Sequence, residues 1–153
     1  TPPFRVEFYS PDKKEINRLA KSYSLQNSVK VFDTIPRDDL LEIMKIADLL
    51  LVIGVNVNGK TSGSIPSKIY DYIIAKRPIL IAGGVVGDEI ESLVNKSELG
   101  KISLSVEECE NYLRSFIDDY KKNTVVKVHP NLEELMNFSQ YSQVKKFLSL
   151  LPE

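Results

Sequence analysis

A chain of 153 residues, 42% hydrophobic and 27% charged, is long enough to bury a full core and reads as one globular domain without room for a second. Its net charge of -1, with Lys and Arg spread along the whole length, supplies no concentrated basic face and excludes nucleic acid as the expected partner. One cysteine, Cys109, and one histidine, His129, allow neither an internal disulfide nor a zinc-ligand spacing, so a reducing, cytoplasmic setting without a bound metal is expected.

In chain order, Phe4 to Tyr9 is the first apolar, β-branched run. Ser10-Pro11 then opens a helix whose Ile16, Leu19, Ala20 and Tyr23 have the spacing that buries one face. Val29 to Phe32 is a second strand, and Leu40, Leu41, Met44 and Ala47 mark a second helix. Leu49 to Ile53 and Ile79 to Ala82 are apolar on both faces, as strands are when helices cover both sides of a sheet. These two runs are the longest apolar stretches, far short of the roughly 20 residues of a membrane helix, and no signal-peptide pattern is present. Peripheral membrane association is therefore left to a segment missing from this chain.

Between those strands, Ser64 is a candidate N-cap, Pro66 suits a first helical turn, and Ile69, Ile73 and Ile74 form an inward stripe, which predicts a helix from Pro66 to Ala75. Lys101 to Leu104 is a weaker strand. Ser105 and Glu108 form a capping box for a helix through Tyr112, Leu113, Phe116 and Ile117. Lys121 to Pro130 is the most linker-like stretch, with His129 as an exposed loop residue. Asn131 starts another helix, and Val144, Phe147, Leu148 and Leu151 give a last amphipathic one, whose stripe would suit packing or oligomerisation equally. Alternating strands and helices imply a doubly wound parallel sheet, α/β and Rossmann-like, followed by C-terminal helices.

In such sheets ligands bind beyond the carboxyl ends of the strands. That rule selects Asp33 to Pro36, Gly54 to Ser64, and Gly83 to Asp88. Gly54, Gly59 and Gly63 with Asn56 and Asn58 make the middle loop adaptable, although glycines of this kind also serve plain turns. The helix start after Ser64 offers free N–H groups and a positive dipole end to an anion. Lys68 places a cation in that same turn, which a bound diphosphate would balance; a Lys68 to Asp71 pair on a solvated face is the plainer alternative. Gly83-Gly84 would let backbone approach a substrate, or would simply turn the chain.

Four segments in this order resemble the C-terminal, donor-binding half of GT-B fold glycosyltransferases, especially the retaining enzymes of family 4 (glycosyl transferases group 1). They are Val29 to Pro36; Asp39-Leu40-Leu41 through Ile46-Ala47-Asp48-Leu49-Leu50-Leu51; Ile65-Pro66-Ser67-Lys68-Ile69-Tyr70-Asp71-Tyr72 with Lys76-Arg77-Pro78-Ile79-Leu80; and Gly83-Gly84 with Glu89, similar to the family's glycine turn and the helix that follows it. Phe138-Ser139 before the last helix is similar to the family's closing segment. The resemblance implies that Asp71 accepts hydrogen bonds from the ribose hydroxyls, as the second of the family's paired glutamates does. It also implies that Ser64, Ile65 and Ser67 donate to the diphosphate, with Lys68 stabilising its charge, and that main-chain groups of Ile35 hold the base. Gly63 stands where the first glutamate would be, so that carboxylate has no counterpart here. The family's first strand, with its Arg and Lys near the diphosphate, also has no counterpart, and no catalytic residue is assigned.

These features lead to the expectation of a single nucleotide-sugar-binding domain over residues 1-153, cut from a two-domain hexosyltransferase of polysaccharide biosynthesis and lacking its N-terminal acceptor domain. The fragment would be inactive alone. Its ligand would be a substrate, a UDP- or GDP-linked sugar, and no separate cofactor is expected; a glycan or lipid-linked acceptor would meet it through the missing half. The alternatives are a non-enzymatic doubly wound binding module, disfavoured because the strand ends hold only one acid, and a sugar-nucleotide epimerase-like domain, which would need an acid and base that the chain does not clearly supply.

Overall fold

The computed structural model describes residues 4–54, 65–123, 128–137 and 139–150, and the chain divides into two compact units, Thr1–Glu42 and Ile43–Glu153. Both are α/β and every strand pairing is parallel.

The first unit holds β1 (Val6–Tyr9), the crossover helix α1 (Lys13–Ser22) and β2 (Val29–Phe32). Val6 lies opposite Val29, and Tyr9 opposite Phe32. Strand alternation gives Val6, Phe8, Val29 and Val31 one face. Phe8 and Val29 of that face meet Ile16, Leu19 and Ala20 of α1, and with Tyr23 and Leu25 they line an apolar hollow of about 280 Å³. The expected burial of the α1 stripe is only partial. Ala20 is buried, whereas Leu19 is 41% and Tyr23 73% exposed. Two strands spaced about 4.8 Å apart are too narrow to cover the full apolar arc of a helix about 10 Å across. On the opposite face the Tyr9 and Phe32 rings stack, with centroids 5.0 Å apart.

Helix α2 (Arg37–Ile46) crosses the boundary between the units, with Asp38 and Asp39 in its first turn where the dipole favours them.

The second unit continues with β3 (Leu50–Ile53), α3 (Lys68–Ala75), β4 (Ile79–Ala82), α4 (Glu89–Ser97), β5 (Gly100–Ser103), α5 (Val106–Asn123), α6 (Leu132–Asn137) and α7 (Gln140–Leu148). Its sheet has the order β3-β4-β5. The register aligns Leu50, Ile79 and Gly100 in one row, and Val52, Ile81 and Ile102 two residues on, so these share a face. The five apolar side chains among them are at most 6% exposed. Both crossovers step the same way along the sheet, so the right-handed rule places α3 and α4 together on one face. Gly84, leading into α4, lies against Ile102, which identifies that face as the fully buried one. Ile69 from α3 and Ile90, Leu93 and Val94 from α4 complete the core.

α3 starts at Lys68 with Ser67 as its N-cap, two residues later than Pro66 suggested, and Ser64 lies outside the described residues. Ile69 is fully buried and Ile73 half-buried, but Ile74 points out at 53% exposure, contrary to the expected inward stripe. At 100° per residue Ile74 falls well off the arc that Ile69 and Ala75 bury. β5 begins one residue earlier than Lys101. The Ser105 cap forms, with Glu108 N–H donating to Ser105 Oγ at 3.1 Å, and Asn131 caps α6 by accepting from Glu134 N–H at 3.2 Å. His129 is exposed, as expected. No described helix is long and apolar enough to cross a membrane.

Candidate functional site

The carboxyl ends of β3, β4 and β5 form a rim of closely packed backbone. Gly54 N–H donates to the Ala82 carbonyl at 2.9 Å, and Gly83 N–H to the Ser103 carbonyl at 2.8 Å, so the ladder runs one residue past the ends of β3 and β4. A Cβ on Gly54 would lie 2.5 Å from the Gly83 carbonyl oxygen, a distance no side chain tolerates. Only glycine lets these two turns approach so closely. Beyond it Gly83 and Gly84 take φ of +88° and +114°. Ser103, level with Ala82 in the register, is fully buried, and its Oγ has no hydrogen-bond partner among the described residues.

The three helix starts at this rim differ in electrostatics, and at α5 Ser105 Oγ accepts from Glu108 N–H while the Glu108 carboxylate accepts from Leu104 N–H at 2.8 Å. At α4 the buried Asp88 accepts from Glu89 N–H at 2.8 Å, and Glu91 accepts from Gly87 N–H at 2.6 Å. Two carboxylates thus occupy the positive end of that helix, which disfavours an anion there. At α3, Ser67 makes no side-chain cap bond, and Ser67 and Lys68 are exposed while Ile65 and Pro66 are half-buried. Turn bonds from Ile69 N–H to the Pro66 carbonyl and from Tyr70 N–H to the Ser67 carbonyl tighten the entry. The α3 start carries Lys68 together with Asp71, and the α4 start Asp88, Glu89 and Glu91.

Asp71 sits half-buried one turn into α3, next to Tyr72. The Tyr72 hydroxyl donates to the Leu51 carbonyl at 3.1 Å and ties α3 to β3. Burial raises the Tyr72 pKa above its ordinary 10.0, and the charge of Asp71 raises it further. Tyr72 is neutral when folded, so its contribution is complete below about pH 10 and is lost as pH rises through its elevated folded value. Tyr112, raised by burial, acts in the same direction. Urea midpoints that fall on going above pH 10 in the parent chain should fall less steeply in Tyr72→Phe; equal slopes would mean that Tyr72 is solvated.

At the far end of α3, Lys76 takes φ +54° and turns the chain into β4. Arg77 then donates to the Ala47 carbonyl and lies 4.0 Å from the Asp48 carboxylate, joining the end of α2 to the α3–β4 turn.

The structure thus places Ile65, Ser67, Lys68, Asp71, Gly83 and Gly84 in one unit, in the α3 start and the turn after β4. Ile35 is half-buried in the segment after β2 and belongs to the first unit, where Lys13 pairs with the nearby Asp33 at 3.0 Å. Ser64, Asn56, Asn58, Gly59 and Gly63 lie outside the described residues. Sequence reasoning missed Tyr72 as the anchor of Asp71, although its place three residues after Ile69 was an available signal. It also missed the orphan hydroxyl of Ser103, for which burial is the only signal. Among the described residues no group of His, Cys, Asp and Glu is gathered to hold a metal. In comparisons with protein-family models, curated proteins and solved structures, nothing matches this chain.

Proposed function

We propose that this chain is the donor-binding domain of a hexosyltransferase, a doubly wound Rossmann-like domain of the GT-B C-terminal kind that binds a nucleoside-diphosphate sugar. What supports the reading is the rim itself: the glycine turns permit close backbone approach, and of the three helix starts beside them only α3 has a lysine in its first turn. The N–H groups of Ser67 and Lys68, with the Ser67 hydroxyl, would meet the diphosphate, and the Lys68 ammonium would add its charge. Asp71, one turn on, would accept from the two ribose hydroxyls. As the bond from the anomeric carbon to the phosphate oxygen breaks, the leaving diphosphate gains negative charge, and those N–H groups with Lys68 would stabilise it. Transfer to a glycan or lipid-linked acceptor needs a second domain, so the isolated chain binds without transferring.

The roles of Lys68 and Asp71 are separable. Lys68→Ala should weaken pyrophosphate and nucleoside diphosphate alike, whereas Asp71→Ala should weaken only the nucleoside diphosphate, by about tenfold. Competition binding against a labelled nucleotide measures both. Equal losses for the two ligands in Asp71→Ala would remove the ribose role.

A further inference from the structure

Helix α7 turns its apolar side outward. Tyr141, Val144, Phe147 and Leu148 fall within an arc of roughly 120° at 100° per residue. They are 76%, 56%, 63% and 58% exposed, while Ser142, on the opposite side, is half-buried. The usual arrangement of an amphipathic helix on a protein surface is the reverse.

Its charge is equally distinct. Lys145 and Lys146 are exposed and α7 contains no Asp or Glu, whereas each of the other six described helices contains at least one carboxylate, in a chain of net charge -1. Lys145 flanks the apolar arc. Four outward side chains on a helix of nine residues make too small a patch for a stable protein interface, which needs on the order of 1,000 Å². An isologous pair of α7 helices would also bring the flanking lysines of two copies toward one another. Attachment to a lipid surface scales with the apolar area that enters it and adds the attraction of anionic headgroups, so a patch of this size gives weak, reversible binding. Aromatic rings suit the lipid boundary layer and anionic headgroups complement Lys145. From this juxtaposition we infer that α7 is an interfacial helix that lies on an anionic bilayer, with Tyr141, Val144, Phe147 and Leu148 in the boundary layer and Lys145, at the edge of the arc, at the headgroups. This inference does not depend on the nucleotide reading.

Co-sedimentation of the full chain with vesicles tests it. Binding is expected with phosphatidylcholine mixed with phosphatidylglycerol, should weaken at high salt, and should be slight with phosphatidylcholine alone. Phe147→Ser should reduce the bound fraction about tenfold, and Lys145→Gln should remove the preference for anionic vesicles. These positions are exposed, so unchanged circular dichroism and urea midpoints serve as the folding control. No binding to anionic vesicles, or equal binding to both vesicle types, overturns the inference. So does a dimer in sedimentation velocity that Phe147→Ser dissociates, since that would assign the face to a second copy.

Discussion

Gly100→Ala should destabilise the second unit by about 3 kcal/mol or more, at the upper end for a single added methyl. A Cβ at this position would overlap the Ile79 carbonyl oxygen and sit 2.7 Å from its carbon, both main-chain atoms in the middle strand. No flexible side chain is available to move aside. Relief would require β5 to shift away from β4, yet the register is held on both sides of the contact by Ile79 N–H donating to the Leu99 carbonyl and Gly83 N–H to the Ser103 carbonyl. A net stability of 5–15 kcal/mol is usual for a domain, so the variant should show a clearly lowered urea midpoint. A shift below about 1 kcal/mol would mean that β5 does not pair with β4 in this register.

Ile81→Ala should cost about 2–5 kcal/mol through loss of transfer energy and the cavity left behind. Ile81 is fully buried in the central strand, between Val52 and Ile102 in the register, and both neighbours are themselves at most 6% exposed. With helices over that face and strands on both sides, the site has little freedom to collapse. Urea unfolding should show the lower midpoint with an unchanged slope, because the surface exposed on unfolding hardly alters. A much smaller loss would indicate a loosely packed sheet.

How legible the fold was depended on whether local chemistry determined each element. β2 and β4 fall where their apolar runs predicted, and β3 within one residue, because β-branched and aliphatic runs four or five residues long, bounded by turns, have few other ways to be buried. β1 lost Phe4 and Arg5, both exposed, and Arg5 instead pairs with Glu7 at 2.7 Å. Helix α4 was visible only through family resemblance, although Ile90, Leu93, Val94 and Ser97 have the spacing that buries one face, and all four are buried. The ends of α3 and α4 were harder. Lys76 and Glu98 take the left-handed conformation usually left to glycine, and only the chain's need to enter the next strand imposes it. The apolar faces of α1 and α7 were visible as stripes, but the sequence does not say whether a stripe finds cover.

The site was legible where it depends on residue type and opaque where it depends on distance. Gly83, Gly84, Ser67 and Lys68 stood out by their place after a strand or at a helix start. The approach of Gly54 to Gly83, the bond from Tyr72 to Leu51 and the acidic filling of the α4 start are meetings of residues that the pattern alone does not pair. That filling sets the α4 start apart from the α3 start, whose first turn holds Lys68 and Asp71.

The central claim is tested most directly by a shift titration of the ¹⁵N-labelled chain with UDP, GDP, ADP and inorganic phosphate. Millimolar binding, about -4 kcal/mol, is expected for a donor domain without its partner. Shifts confined to Ile65 to Asp71 and Gly83 to Gly84, stronger for one nucleoside diphosphate than for phosphate, are the predicted result. Shifts spread over the surface and equal for all four ligands, or none at saturation, would contradict a nucleotide-sugar site.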